Sequence, residues 1–227
     1  MQSRQALDAL LSEVEGVTSL PDRLDRLSAG LLGRPYITSP LIGSATEPEQ
    51  FVDRIDGFDC VTYIETVLAL ARCRSVDDFV PELTALRYDG AQVDWKARNH
   101  YMSWWLERNV AAGIVEPLLA DELVPEPASR MLSALPGFPP QRRRLHWLPS
   151  ARAFRLDSLG RTGDVVCFVS VRPGLDTFHV GMVVSGPKAR LRHASKSRGG
   201  VVEEPLVAFL AREETPGLLL ARPLERS

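Results

Sequence analysis

The hydrophobic period changes once along this chain, and that change constrains what it can fold into. Up to about residue 112 the apolar residues recur at helical spacing, and from Gly163 onward they alternate. Leu7, Leu10, Leu11 and Val14 predict a helix over 5–14, and Leu24, Leu27 and Leu31 predict another over 21–32. Pro21 suits a first helical turn and Gly33 a C-terminal exit. After a turn-rich stretch from Pro35 to Pro48, Val61, Ile64, Val67, Leu68 and Ala71 mark one buried face of a third helix. Ser75-Val76-Asp77-Asp78 reads as a capping box for a helix ending near Leu86, and residues 98–112 read as helical. Residues 113–162, with scattered Pro and Gly, read as long loops. Short strands follow at 164–171, 177–184, 189–195, 200–203 and 217–222. Helices first and strands second predict an α+β fold with a segregated antiparallel sheet. A chain of 227 residues, 44% of them hydrophobic, suits one core. The expectation is a single domain over 1–227. It has a helical part at 1–50, further helices at 51–112, loops at 113–162 and a sheet at 163–224.

Chemistry concentrates where the third helix begins. Asp56-Gly57 is a turn and Asp59 a natural N-cap, so Cys60 falls in the first helical turn. The positive end of the helix dipole there favours a thiolate over a thiol. The bland reading of a lone Cys is a small buried hydrophobe. The strand histidines tip the balance. His179 lies in Thr177-Phe178-His179-Val180-Gly181-Met182-Val183-Val184, sharing a strand face with Gly181 and Val183, while Phe178, Val180, Met182 and Val184 share the other. His193 lies on the next strand, within cross-strand reach of His179 if the register permits. A nucleophile, a base and a group that orients the base make an activated cysteine. Cys73, near a helix end between two arginines, and Cys167, inside Val165-Val166-Cys167-Phe168-Val169, read as structural.

Several classes are disfavoured. A formal charge of −2 argues against a general nucleic-acid binder. Three cysteines with no C-x-x-C pairing do not make a disulfide or zinc scaffold, and no histidine shows H-E-x-x-H spacing. There is no apolar run of about 20 residues. The first ten residues lack the apolar region of a secretory signal. The expectation is an envelope or secreted location if a leader has been removed, and a cytoplasmic one otherwise.

Four pieces in order resemble NlpC-type papain-like cysteine hydrolases of bacterial cell walls. They are Gly33-Arg34-Pro35-Tyr36, Asp59-Cys60, Gly163-Asp164-Val165-Val166-Cys167-Phe168, and His179-Val180-Gly181 followed by His193-Ala194-Ser195. Finer features are similar to one branch, the N-acetylmuramoyl-L-alanine amidase-like family. These are Phe58 to Glu65 continuing into Leu68-Ala69-Leu70, Leu86-Arg87-Tyr88-Asp89-Gly90, Arg98-Asn99-His100-Tyr101 before Trp104, and Gly174-Leu175-Asp176. The resemblance spans roughly residues 30–224.

The resemblance implies a papain-like fold and hydrolysis of an amide in peptidoglycan or muramoyl peptides, with Cys60, His179 and His193 catalytic and no cofactor. The implied bond joins N-acetylmuramic acid to L-Ala. The alternatives are the L-Ala–γ-D-Glu bond, acyl transfer through the same thioester, and a non-catalytic wall-binding module. Tyr36, Asp59 and His100 are the substrate-side candidates, against bland roles as packing aromatic, helix cap and loop hydrogen-bonder. Asp164 reads as a turn cap, and Glu65 as the partner of Arg87 or Arg98. Trp95, Trp104 and Trp105 read as core or as a glycan-facing wall. Arg142-Arg143-Arg144 before His146 reads as a solvated loop.

Overall fold

The computed structural model describes residues 2–118 and 128–226. Its helices are α1 (Gln2–Ser12), α2 (Leu20–Gly30), α3 (Cys60–Arg72), α4 (Phe79–Arg87), α5 (Met102–Ala111), α6 (Leu156–Leu159) and α7 (Leu206–Arg212). Its strands are β1 (Val115–Pro117), β2 (Ala128–Leu132), β3 (Gln141–Leu145), β4 (Leu148–Pro149), β5 (Val165–Val169), β6 (Thr177–Val184), β7 (Arg190–Ser195), β8 (Gly200–Pro205) and β9 (Gly217–Pro223). Helices dominate the first half and an antiparallel sheet the second, so the fold is α+β as expected.

The chain divides into two compact units. One comprises residues 1–98, 192–203 and 224–227, the other 99–191 and 204–223. In the first unit α3 packs between α2 and α4. Leu24, Leu27 and Leu31 of the α2 segment, Ile64, Val67 and Leu68 of α3, and Phe79, Leu83 and Leu86 of α4 are buried. They are the apolar positions spaced at helical period in the sequence, which is why each helix covers its own stripe. Ser19 caps α2, and Ser75 and Asp78 form the expected capping box before α4.

In the second unit β5 pairs with β6 and β9, β1 and β4 pair with β9, all antiparallel, and the strand order continues from β6 through β7 and β8. Residues of β7 and β8 are divided between the units. β5 is buried along its whole length, as its unbroken Val-Val-Cys-Phe-Val run requires. Val166 and Phe168 from one of its faces join Val183, Leu218 and Leu220 under Leu156, Leu206 and Phe209.

Two expectations are corrected by the structure. The stretch 113–162 is not simply loops: it carries β1, the β2–β3 pair, β4, a 3-10 turn over Ser150–Arg155 and α6, with residues 119–127 outside the described residues. The arginine run is not a loop but the middle of β3, where Arg143 faces Arg130 and bonds Glu107. Of the two readings of the α5 tryptophans the structure takes the core one, with Trp104 and Trp105 4% and 0% exposed. No helix among the described residues is long and apolar enough to cross a membrane.

Candidate active site

Cys60 is the first residue of α3, as the sequence predicts. Asp59 is the N-cap, in extended conformation at φ −92° and ψ −179°. Its Oδ1 accepts the Thr62 backbone N–H at 2.8 Å, and Thr62 Oγ1 accepts the Asp59 N–H at 3.0 Å. This reciprocal cap holds the helix start rigid and places Cys60 at the positive end of the α3 dipole. Of the three thiols, Cys60 alone is half-buried; the other two are buried. Cys73 ends α3, donates through Sγ to the Ala69 carbonyl at 3.1 Å, and is pushed up to about 12 chiefly by burial. Cys167 lies inside β5.

Tyr36 stands beside Cys60. Its segment is laced on both sides: Tyr36 N–H donates to Gly199 O at 2.9 Å, Ile37 N–H to Phe58 O at 2.8 Å, and Phe58 N–H to Pro35 O at 3.0 Å. Two glycines make that lacing possible. A Cβ at Gly57 would lie 2.9 Å from Pro35 O, and one at Gly200 would lie 2.7 Å from Arg34 O. Burial pushes the Tyr36 phenol up to about 12, and the Cys60 and Asp59 side chains add to the rise. It is a neutral hydroxyl, able to donate, across the physiological range.

Behind the helix start lies a buried ionic network. Arg87 Nε donates to Glu65 at 2.7 Å, and its Nη1 donates to the Val52 carbonyl at 2.6 Å. Arg98 instead pairs with Glu49, at 2.9 and 3.0 Å, and Glu49 also accepts from the Tyr88 hydroxyl at 2.7 Å. Of the two partners expected for Glu65, Arg87 is the one it takes. Burial raises the Glu65 carboxyl and the Arg87 guanidinium opposes that rise. The network ties residues 49–52, which lead towards Cys60, to the end of α4.

His193 belongs to the same unit and is buried on β7. Strand alternation turns it away from the face of Arg192. Arg192 is itself buried, bonding Asp25 at 3.0 Å and Glu203 at 2.9 Å.

His179 and His100 belong to the second unit. His179 pairs across the sheet with Phe168, so both side chains share the face covered by α7. The register slips just beyond, with Val169 opposite Thr177, leaving Phe178 as a bulge residue. Phe178 therefore does not take the far face that strict alternation predicts; its ring lies 6.2 Å from Phe168. His100 is half-buried, edge-on to Phe138 at 5.5 Å, beside the cluster of Tyr101, Trp104 and Leu132. Asp176 closes the approach to β6: its Oδ2 accepts the Ser103 N–H at 2.6 Å, capping α5 from outside that helix.

A family model described as N-acetylmuramoyl-L-alanine amidase-like matches residues 26–218. The chain belongs to this family. Among solved structures, it is similar to an N-acetylmuramoyl-L-alanine amidase from Bacteroides uniformis at 24% identity and a TM-score of 0.76, covering 87% of this chain and 97% of that one. It is also similar to protein LPG0564 from Legionella pneumophila at 21% identity and a TM-score of 0.79, covering 98% and 95% respectively. A comparison with curated proteins yields no match. At these identities the likeness to solved structures speaks for the fold.

Within this family member, Tyr36, Asp59 and Cys60 come together in one unit. The sequence reading missed α7 and hence Phe209, whose ring lies 5.3 Å from that of His179. The signal was weak: Leu206–Arg212 is seven residues long and follows Pro205, between the strands expected at 200–203 and 217–222. Asp164 does cap its turn, accepting the Arg161 N–H at 2.8 Å, and it also holds Arg222 through both carboxylate oxygens at 2.8 Å.

Proposed function

We propose that this protein hydrolyses the amide joining N-acetylmuramic acid to L-Ala in peptidoglycan fragments, through a covalent cysteine intermediate on a papain-like NlpC-type scaffold. The observation that carries this reading is Cys60, a half-buried thiol at the first position of a reciprocally capped helix, beside a neutral Tyr36 hydroxyl, in a member of an amidase-like family.

The Cys60 thiolate attacks the carbonyl carbon and forms the C–S bond. The oxyanion is held by the Cys60 backbone N–H and the Tyr36 hydroxyl. Protonated His179 gives its proton to the amide nitrogen as the C–N bond breaks, releasing a peptide with a free L-Ala amine. Water then attacks the thioester, His179 takes its proton, and the C–S bond breaks to free the muramic acid carboxyl group and the thiolate. His193 orients His179. Asp59 and His100 are assigned to the substrate side, Asp59 through the carboxylate next to the nucleophile.

The test compares an N-acetylmuramoyl tripeptide with the same tripeptide lacking the sugar, products being read by mass spectrometry. The expected products of the first are N-acetylmuramic acid and the intact tripeptide, with no cleavage of the second. Cutting of the sugar-free peptide between L-Ala and D-Glu at a comparable rate overturns the amidase assignment in favour of an endopeptidase.

A further inference from the structure

The imidazole of His179 packs against a pair of neighbouring aromatic rings on one flank. It lies 5.3 Å from the Phe209 ring at an interplanar angle of 24°, and 6.0 Å from the Phe168 ring at 29°. The two phenyl rings are themselves 4.4 Å apart. Phe168 is fixed by its place on β5, bonded on both sides by β6 and β9. Phe209 comes from α7 and is buried in the same apolar layer. One turn further on, Arg212 sets its guanidinium 5.6 Å from the Phe209 centroid, and Glu204 holds it at 2.7 and 2.8 Å.

A strand histidine keeps two free side-chain torsions unless something stops the ring from turning, and an imidazole that transfers a proton must present one nitrogen in one direction. The bulge at Phe178 interrupts the ladder one residue before His179, so the backbone alone does less to hold this side chain. A near-parallel ring on its flank constrains rotation of the imidazole. We propose that Phe209 is a positioning residue for His179, its ring fixing the plane of the imidazole. The catalytic consequence rests on the reading of His179 as the acid–base group; the ring packing itself does not.

The experiment uses the full chain with Phe209→Leu, which keeps an apolar side chain in the core layer, and Phe209→Tyr, which keeps the ring. Histidine ring resonances are recorded by NMR and assigned with a His179→Gln variant, and kcat and KM are measured on the muramoyl tripeptide. Phe209→Leu should remove the ring-current shift of the His179 protons and lower kcat by about 10-fold with KM nearly unchanged, because small misplacements of a reacting group are costly. Phe209→Tyr should recover both. An unmoved His179 resonance in Phe209→Leu overturns the proposal, as does a lost shift with kcat unaltered. If the parent protein cleaves no muramoyl peptide, the functional reading fails, and the positioning of His179 by Phe209 stands or falls on the resonance alone.

Discussion

Arg87 and Glu65 meet at 2.7 Å with both side chains only 2% exposed, one turn of helix beyond the thiol. A charge buried to this degree is tolerable only while its partner is present. Arg87→Ala should destabilise the protein by about 3–5 kcal/mol, because it strands a buried carboxylate and leaves the Val52 carbonyl without its donor. Arg87→Lys should recover little, since a single ammonium does not reproduce the fork that reaches Glu65 and Val52 together. Denaturant unfolding of the two variants measures both effects.

Such features separate what the sequence made legible from what it did not. The start of α3 could be read because an N-cap residue, a turn and a helical apolar period coincide at residues 56–61, and β5 could be read because a continuous β-branched run has few other uses. The β2–β3 pair could not, because residues 141–145, with three successive arginines, have no alternation and the partner strand Ala128–Leu132 carries no strand signal of its own. The Asp176 cap of α5 and the bulge at Phe178 are likewise set by distant chain and leave no local pattern. Asp59 and Cys60 could be placed at the helix start because their segment carries a local signal, whereas Tyr36 entered through the family resemblance. Phe209 was missed because a seven-residue helix after a proline carries almost none.

Thiol reactivity should follow burial. Brief treatment of the native protein with iodoacetamide should add one label, at Cys60, since Cys73 is pushed up to about 12 by burial and Cys167 lies inside β5. In denaturant all three should react. Peptide mass spectrometry reads the positions, and labelling of Cys167 or Cys73 ahead of Cys60 would contradict the assignment.

The tyrosines give an alkaline signature with a definite sign. Tyr36 is raised from 10.0 to about 12, and burial raises Tyr63 and Tyr88 as well. Between those values the folded state keeps protons that the unfolded chain has lost, so stability falls as pH rises from about 10 to about 12. Below pH 10 the contribution is flat. Unfolding midpoints recorded across this range should drop, and Tyr36→Phe should make the drop shallower. The same variant should lower kcat by about 10- to 100-fold at neutral pH if the hydroxyl holds the oxyanion.

His179 and His193 should behave as one unit with the thiol. His179→Ala should cost nearly as much turnover as loss of Cys60, His193→Ala somewhat less, and either change added to Cys60→Ala little more, because groups acting together are non-additive. Costs that simply multiply in the double variants would remove His193 from the orienting role.

Cys60→Ala on the muramoyl tripeptide, with circular dichroism to confirm the fold, tests the account most directly. The account predicts that release of N-acetylmuramic acid falls by roughly 1,000-fold or more while the spectrum is unchanged. Turnover retained in Cys60→Ala, with loss in Cys167→Ala instead, would contradict it.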